Sequence, residues 1–122
     1  MKKKYIVKSA QQFNKIIKDG ITIKSNYYVI YCVNNDLEYD RFGISVGKKI
    51  GNAVFRNKYK RKLRSIIDNY KKNYINHKDY IIILRREAIN VSYIELLDDF
   101  FRLMDKLTRK GKCEWKNWKY FY

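Results

Sequence analysis

The segment from Ala53 to Tyr74 constrains this chain more than any other. Phe55, Tyr59, Leu63, Ile66, Tyr70 and Tyr74 recur at steps of three and four residues. That spacing predicts one long helix with a single apolar face. The polar side carries cations without acids. Between Asp40 and Asp68 there is no Asp or Glu, while Arg41, Lys48, Lys49, Arg56, Lys58, Lys60, Arg61, Lys62 and Arg64 all fall there. On a helix, Arg56, Lys60 and Arg64 lie roughly 40° apart in succession, and Asn57 and Arg61 extend the same arc. Lys58 and Lys62 fall on the far side of the apolar stripe. Cations stacked one turn apart repel each other by roughly 0.2–0.5 kcal/mol per pair, and an ordinary solvated helix dilutes them with Glu. An uncompensated face is complementary to external anions, and a run of phosphates supplies them. The competing reading is the solvated face of a generally basic protein, which weighs most at Lys58 and Lys62. Gly47 and Gly51 frame Lys48 and Lys49, either so that backbone can approach a phosphate or as a plain strand-to-helix turn.

The rest of the chain agrees with a polyanion as partner. The 122 residues carry 28 Lys+Arg against 12 Asp+Glu, a net charge of +16. Hydrophobic residues make up 46%, enough for one core, which predicts a single domain over 1–110 and an aromatic, basic tail over 111–122. The longest apolar stretches, such as Tyr27–Val33 and Tyr80–Leu84, are strand-sized, so no membrane span is expected. The basic start is not followed by a long apolar run with a cleavage site, so the expected location is the cytoplasm. Cys32 interrupts an apolar run and reads as a buried thiol, Cys113 lies far from it, and His77 is the single histidine. Neither a metal site nor a Cys–His nucleophile pair is expected from such a set.

Local signals predict the remaining elements. Ser9 to Gln12 has the form of a capping box, Phe13, Ile16 and Ile17 follow at helical spacing, and Asp19-Gly20 stops that first helix. Tyr27–Val33 reads as a strand, with Tyr27, Val29, Tyr31 and Val33 on one face and Tyr28, Ile30 and Cys32 on the other. A turn at Asn34 to Asp36 leads to a strand over Arg41–Val46, and a short strand is read at Ile21–Lys24. The stretch His77 to Asp79 reads as a break before a buried strand over Tyr80–Leu84. A second capping box, Ser92 to Glu95, opens a last helix that ends near Gly111, with Ile94, Leu97, Phe101, Met104 and Leu107 inward. The order helix, strands, helix, strand, helix predicts an α/β sandwich with helices packed on one sheet.

These residues carry a specific resemblance. The stretch RFGISVGKKIGNAVFRNKYKRKLRSII, Arg41 to Ile67, resembles the signature region of the bacterial ribonuclease P protein subunit. SAQQFNKIIKDG, NYYVIYCV, KDYIIILRR and SYIELLDDFFRLMDKL follow the same order as in that family, so the resemblance spans about Lys3 to Arg109. It implies an endoribonuclease holoenzyme in which a catalytic RNA, with Mg²⁺, removes the 5′ leader of precursor tRNA. The same resemblance implies no catalytic residue and no metal site in the protein itself. It also implies a left-handed crossover around the basic helix, where general rules favour a right-handed one. The positions that match the RNA-binding motif are Asn52, Arg56, Asn57, Lys58, Lys60, Arg61 and Arg64, with Lys48 and Lys49 just before it. Those that match the leader-binding cleft are Phe13, Ile17, Tyr31, Ile44 and Val46.

Three positions depart from the family's pattern. Lys58 replaces an arginine and loses its planar fork, Ile17 replaces a common aromatic, and Gly47 replaces a serine and its hydroxyl. Two other classes compete. A structural RNA-binding protein of ribosomal type shares the basic helix and the α/β order, and differs in co-purifying with ribosomes. A protein-only nuclease needs carboxylates converging on a metal. The basic segment holds none, and Asp98-Asp99 sits on a helix whose inward positions are already apolar.

Overall fold

The structure, a computed structural model, describes residues 3–7, 9–72 and 74–113. Helix α1 (Ala10–Asp19) is followed by strands β1 (Ile21–Lys24), β2 (Tyr28–Asn34) and β3 (Arg41–Ser45). Helix α2 (Ala53–Lys71), strand β4 (Lys78–Leu84) and helix α3 (Tyr93–Cys113) complete the order. The sheet runs β1-β2-β4-β3, antiparallel except for the β3–β4 pair, which is parallel and is bridged by α2 as a crossover. The α/β sandwich read from the sequence is therefore present, including the short strand at Ile21–Lys24.

Each helix starts where its cap allows. Ser9 Oγ accepts the Gln12 N–H at 3.0 Å, Asn52 Oδ1 accepts the Phe55 N–H at 2.9 Å, and Ser92 Oγ accepts the Glu95 N–H at 3.2 Å. Two apolar layers then form on the sheet. Tyr28, Ile30, Phe42, Tyr80 and Ile82 meet Leu63, Ile66, Ile67, Leu96 and Phe100 from α2 and α3. On the opposite face Ile16 of α1 packs with Val7 and Ile81, flanked by Phe13, Tyr31, Val33 and Ile83. The N-terminal segment covers the edge of β3, Ile6 pairing with Phe42 and the Val7 N–H donating to the Phe42 carbonyl at 3.0 Å. A bare edge strand would otherwise be open to pairing.

Three details differ from the sequence reading. The first is the end of α2, which stops at Lys71 and leaves Tyr74 half-exposed beyond it. The chain turns there to bring the Asn76 and Lys78 N–H groups onto the buried carboxylate of Asp40. The second is the break read at His77 to Asp79, because Lys78 and Asp79 belong to β4. Both are buried and satisfied, Lys78 by Asn34 and Asp79 by Arg41 and Asn35. The third is the rotation of α3. Leu96, Phe100, Leu103, Met104 and Leu107 face inward, whereas Leu97 and Phe101 flank them and Ile94 is 68% exposed. The Tyr28 hydroxyl donates to the Leu96 carbonyl at 2.9 Å and Ser25 Oγ donates to Asp99 at 2.6 Å, which fixes that rotation. The tail read over 111–122 lies outside the described residues beyond Cys113, the last residue of α3.

Asp40 has a measurable signature. Burial pushes its carboxyl above the ordinary carboxylate range, against the opposing hydrogen bonds from Lys78 and Asn76. The folded state then holds that proton more tightly than the unfolded state. Asp40's contribution to stability is complete below the ordinary carboxylate pKa and is lost as pH rises through the raised folded value. Urea unfolding of the wild type and Asp40→Asn across the acidic range is expected to show the wild type losing stability relative to the variant as pH rises. A constant or widening advantage for the wild type would contradict this.

Candidate nucleic-acid interface

The basic face is aimed by its own helix. Burial of Tyr59, Leu63, Ile66, Ile67 and Tyr70 fixes the rotation of α2. Asn57, Lys58, Arg61 and Arg64 then stand exposed, with Arg56 and Lys60 partly buried beside them. None of these cations is ion-paired with a carboxylate among the described residues. Arg56 Nε is buried with no hydrogen-bond partner, a local cost of the kind that functional side chains carry. Arg61, Arg64, Ser65, Asp68, Asn69 and Lys72 line a shallow groove of about 340 Å³ along the helix. Lys62 is occupied elsewhere, its Nζ lying 4.8 Å from the Tyr59 ring centroid.

The approach to α2 is also basic. Lys48 and Lys49 are exposed on a 3-10 turn, and Gly51 follows with φ 156°, a conformation that disfavours any side chain. A Cβ at Gly51 would lie 2.8 Å from the Phe55 ring, so the glycine lets the chain after the 3-10 turn press against the first turn of α2. Asn52, matched to the RNA-binding motif, caps this turn with its side chain.

The sheet face under α1 carries the aromatic half. Register aligns Tyr31 with Ile81 and Ile81 with Gly43 across three strands. The Phe13 ring lies directly over Gly43, where an added Cβ would meet it at 2.6 Å and Ile81 at 2.8 Å. Ile17 stands 39% exposed beside it. Two residues of the expected cleft lie elsewhere. Val46 is 5% exposed in the core under α2 and α3, and Ile44 aligns with Ile82 on that same core face. The alternation of a β-strand puts them opposite Tyr31.

Ile44 still reaches one shared feature. Ile6, Val7, Phe13, Phe42, Ile44, Lys60 and Arg64 line a hollow of about 140 Å³ at the edge of β3. It joins the aromatic face to the basic helix. The sequence alone does not single out Ile6, Val7 and Gly43, because their place depends on the N-terminal segment wrapping that edge. Ile81 was missed because a continuous apolar strand does not show which residues face which side.

Among the described residues no group of three or more His, Cys, Asp or Glu is placed to hold a metal ion, and no helix is long and apolar enough to cross a membrane. A basic crossover helix beside an aromatic sheet face defines a small α/β protein of the RNA-binding class. The family model for ribonuclease P matches residues 1–108. The ribonuclease P protein component of Streptococcus pneumoniae is 34% identical over 121 residues, 98% of each chain. A Staphylococcus aureus RNase P protein, described as a mutant with defective mRNA degradation activity, superposes with TM-score 0.78 at 34% identity, over 84% of this chain and 87% of that one. The RNase P protein of Thermotoga maritima gives TM-score 0.73 at 28% identity, over 84% and 94%. The chain belongs to the ribonuclease P protein family. Its place is the protein subunit of that endoribonuclease, whose chemistry the RNA carries.

Gly43 gives a direct test of the aromatic face. Gly43→Ala is expected to cost about 1–3 kcal/mol by overpacking against Phe13 and Ile81, read by denaturant unfolding. In a Phe13→Leu background the same substitution is expected to cost clearly less, since neighbours that share space couple. Equal costs in both backgrounds would show that the ring does not rest on Gly43.

Proposed function

We propose that this subunit holds the 5′ leader of precursor tRNA on the Phe13–Tyr31 face while the basic face of α2 docks on the catalytic RNA. The observation that carries the reading is the hollow at the edge of β3, which Phe13 lines together with Lys60 and Arg64. An aromatic platform contiguous with cations suits an unpaired strand, because bases stack without being read and phosphates find charge. The half-buried rings of Phe13 and Tyr31 supply the platform, and exposed Ile17 adds apolar contact without stacking. Mg²⁺ held by the RNA supplies the activation of water and stabilisation of the leaving oxygen. The protein's side chains bind and orient. In this reading the protein works in the cytoplasm with its RNA, through the domain over 1–110.

Lys48, Lys49, Arg56, Asn57, Lys58, Lys60, Arg61 and Arg64 form the docking set in this reading, with Asn52 serving it as the cap. Arg56→Ala, Lys60→Ala and Arg61→Ala are each expected to weaken binding to the catalytic RNA. Each is expected to lower the salt slope by about 0.7–0.9, the value for one phosphate contact. Unchanged affinity and slope in all three would reduce the face to a solvated one.

The leader contact separates from docking. Stacking contributes roughly 1–3 kcal/mol per base in other systems, and the lower half of that range is expected here because Ile17 replaces an aromatic. Phe13→Ala and Tyr31→Ala should weaken holoenzyme binding to precursor tRNA and spare mature tRNA. Trimming the leader to one nucleotide should remove the difference from wild type. Equal losses for both tRNAs in variants that melt normally would refute the cleft assignment.

A further inference from the structure

We infer that the far end of α2 carries a separate site for one unpaired nucleotide of the catalytic RNA, with Lys4 and Lys71 holding its phosphate and Tyr74 stacking its base. The inference rests on the reading of α2 as the docking face, and extends it to residues that neither the helix motif nor the cleft includes.

Lys71 is the cation that continues the arc. It falls seven residues after Arg64, within roughly 20° of it around the helix and roughly 16 Å along the axis beyond Lys60. The N-terminal segment crosses α2 at that point. Lys71 Nζ lies 3.1 Å from the Tyr5 ring centroid, and Lys4 Nζ lies 5.0 Å from the same ring and 5.1 Å from that of Tyr39. Tyr5 and Tyr39 meet edge to face at 5.3 Å. Two ammonium groups thus share one ring, and neither is ion-paired with a carboxylate among the described residues. Burial holds the Lys71 ammonium below its ordinary pKa against the opposing pull of Tyr5, Asp68 and Asp40, and the charge of Lys4 adds to the lowering. A phosphate reached by both would offset the burial of Lys71 and its repulsion from Lys4.

The base has a place beside them. Tyr5, Tyr39, Asp40, Lys71, Tyr74 and Ile75 line a hollow of about 150 Å³, room for one unpaired base and not for a duplex. Asp40 is the acid in that wall, but it is 3% exposed and accepts N–H groups from Asn76 and Lys78, so the charge presented outward is positive. Tyr74 stacks on Tyr70 at 4.8 Å through one face and is 49% exposed, and Ile75 is 61% exposed. An exposed aromatic and isoleucine next to two lysines that contact rings but no carboxylate form a stacking platform with its counter-charge in place. The leader fits this hollow less well, because Phe13 and Tyr31 lie on the α1 side of the sheet whereas Lys71 extends the arc of α2.

Binding of the full chain to the catalytic RNA, measured against salt, tests the site with Lys4→Gln, Lys71→Gln, Tyr74→Ala and Tyr74→Phe. Each lysine variant is expected to lower the log–log salt slope by about 0.7, the single-strand value for one phosphate. Tyr74→Ala should weaken binding about 5- to 10-fold, near the lower end for loss of one stacked base, and Tyr74→Phe should bind as wild type. Lys4 is exposed, so Lys4→Gln keeps the fold and its slope decides the question even where another variant melts early. Wild-type slopes with a weakened Arg61→Ala would overturn this site and leave the docking face standing. Wild-type binding by Arg61→Ala as well would overturn both. Unchanged binding to the RNA with a loss that depends on leader length would assign the hollow to the precursor, and would also overturn the proposal.

Discussion

Burial of one stripe of α2 is the interaction on which the rest of this structure depends. Tyr59, Leu63, Ile66, Ile67 and Tyr70 are each no more than 3% exposed against the sheet and α3. A fully buried Leu or Ile contributes roughly 1.5–3 kcal/mol, while each pair of stacked cations on the outer face costs roughly 0.2–0.5 kcal/mol. Burial therefore wins by a wide margin, and the cations are held in a row that their own repulsion would scatter. The parallel β3–β4 pair, joined through α2, is what makes that stripe part of the main core.

The two ends of the crossover are finished differently. At its start, Gly51 and the Asn52 cap let the chain enter α2 beside Phe55, leaving Lys48 and Lys49 outward. At its end, Asn76 donates from its side chain to the hydroxyls of Tyr70 and Tyr80, and from its backbone to Asp40. This buried polar knot satisfies a turn that would otherwise carry unpaired backbone groups into the core. His77 takes φ 58° within the same turn. β4 starts at Lys78, directly after this turn.

Much of this was legible in the sequence because period and charge are local signals. The apolar steps from Phe55 to Tyr70, the caps at Ser9 and Ser92 and the strand at Tyr27–Val33 all translate into structure with small shifts at their ends, whereas the Asn52 cap shows only in the structure. What was not legible depends on contacts between distant segments. Lys78 and Asp79 read as a break because charged residues are rarely buried, yet Asn34 and Arg41 satisfy them across the sheet. Ile94 seemed an inward residue by spacing alone, and hydrogen bonds from Tyr28 and Ser25 rotate α3 to exclude it. Val46 matches a cleft position of the motif, whereas strand alternation puts it in the opposite layer. The hollow that unites Phe13 with Lys60 and Arg64 needed the N-terminal segment laid along β3, which no local pattern encodes.

The central claim is that this chain works through an RNA and does no chemistry itself. Cleavage of a precursor tRNA by the protein alone, by the catalytic RNA alone and by both together, at Mg²⁺ too low for the RNA to act quickly, tests it most directly. Cleavage at the leader junction is expected to be fast with both components, slow with the RNA alone and absent with the protein alone. Cleavage by the protein alone at that junction, or no gain when it joins the RNA, would contradict it.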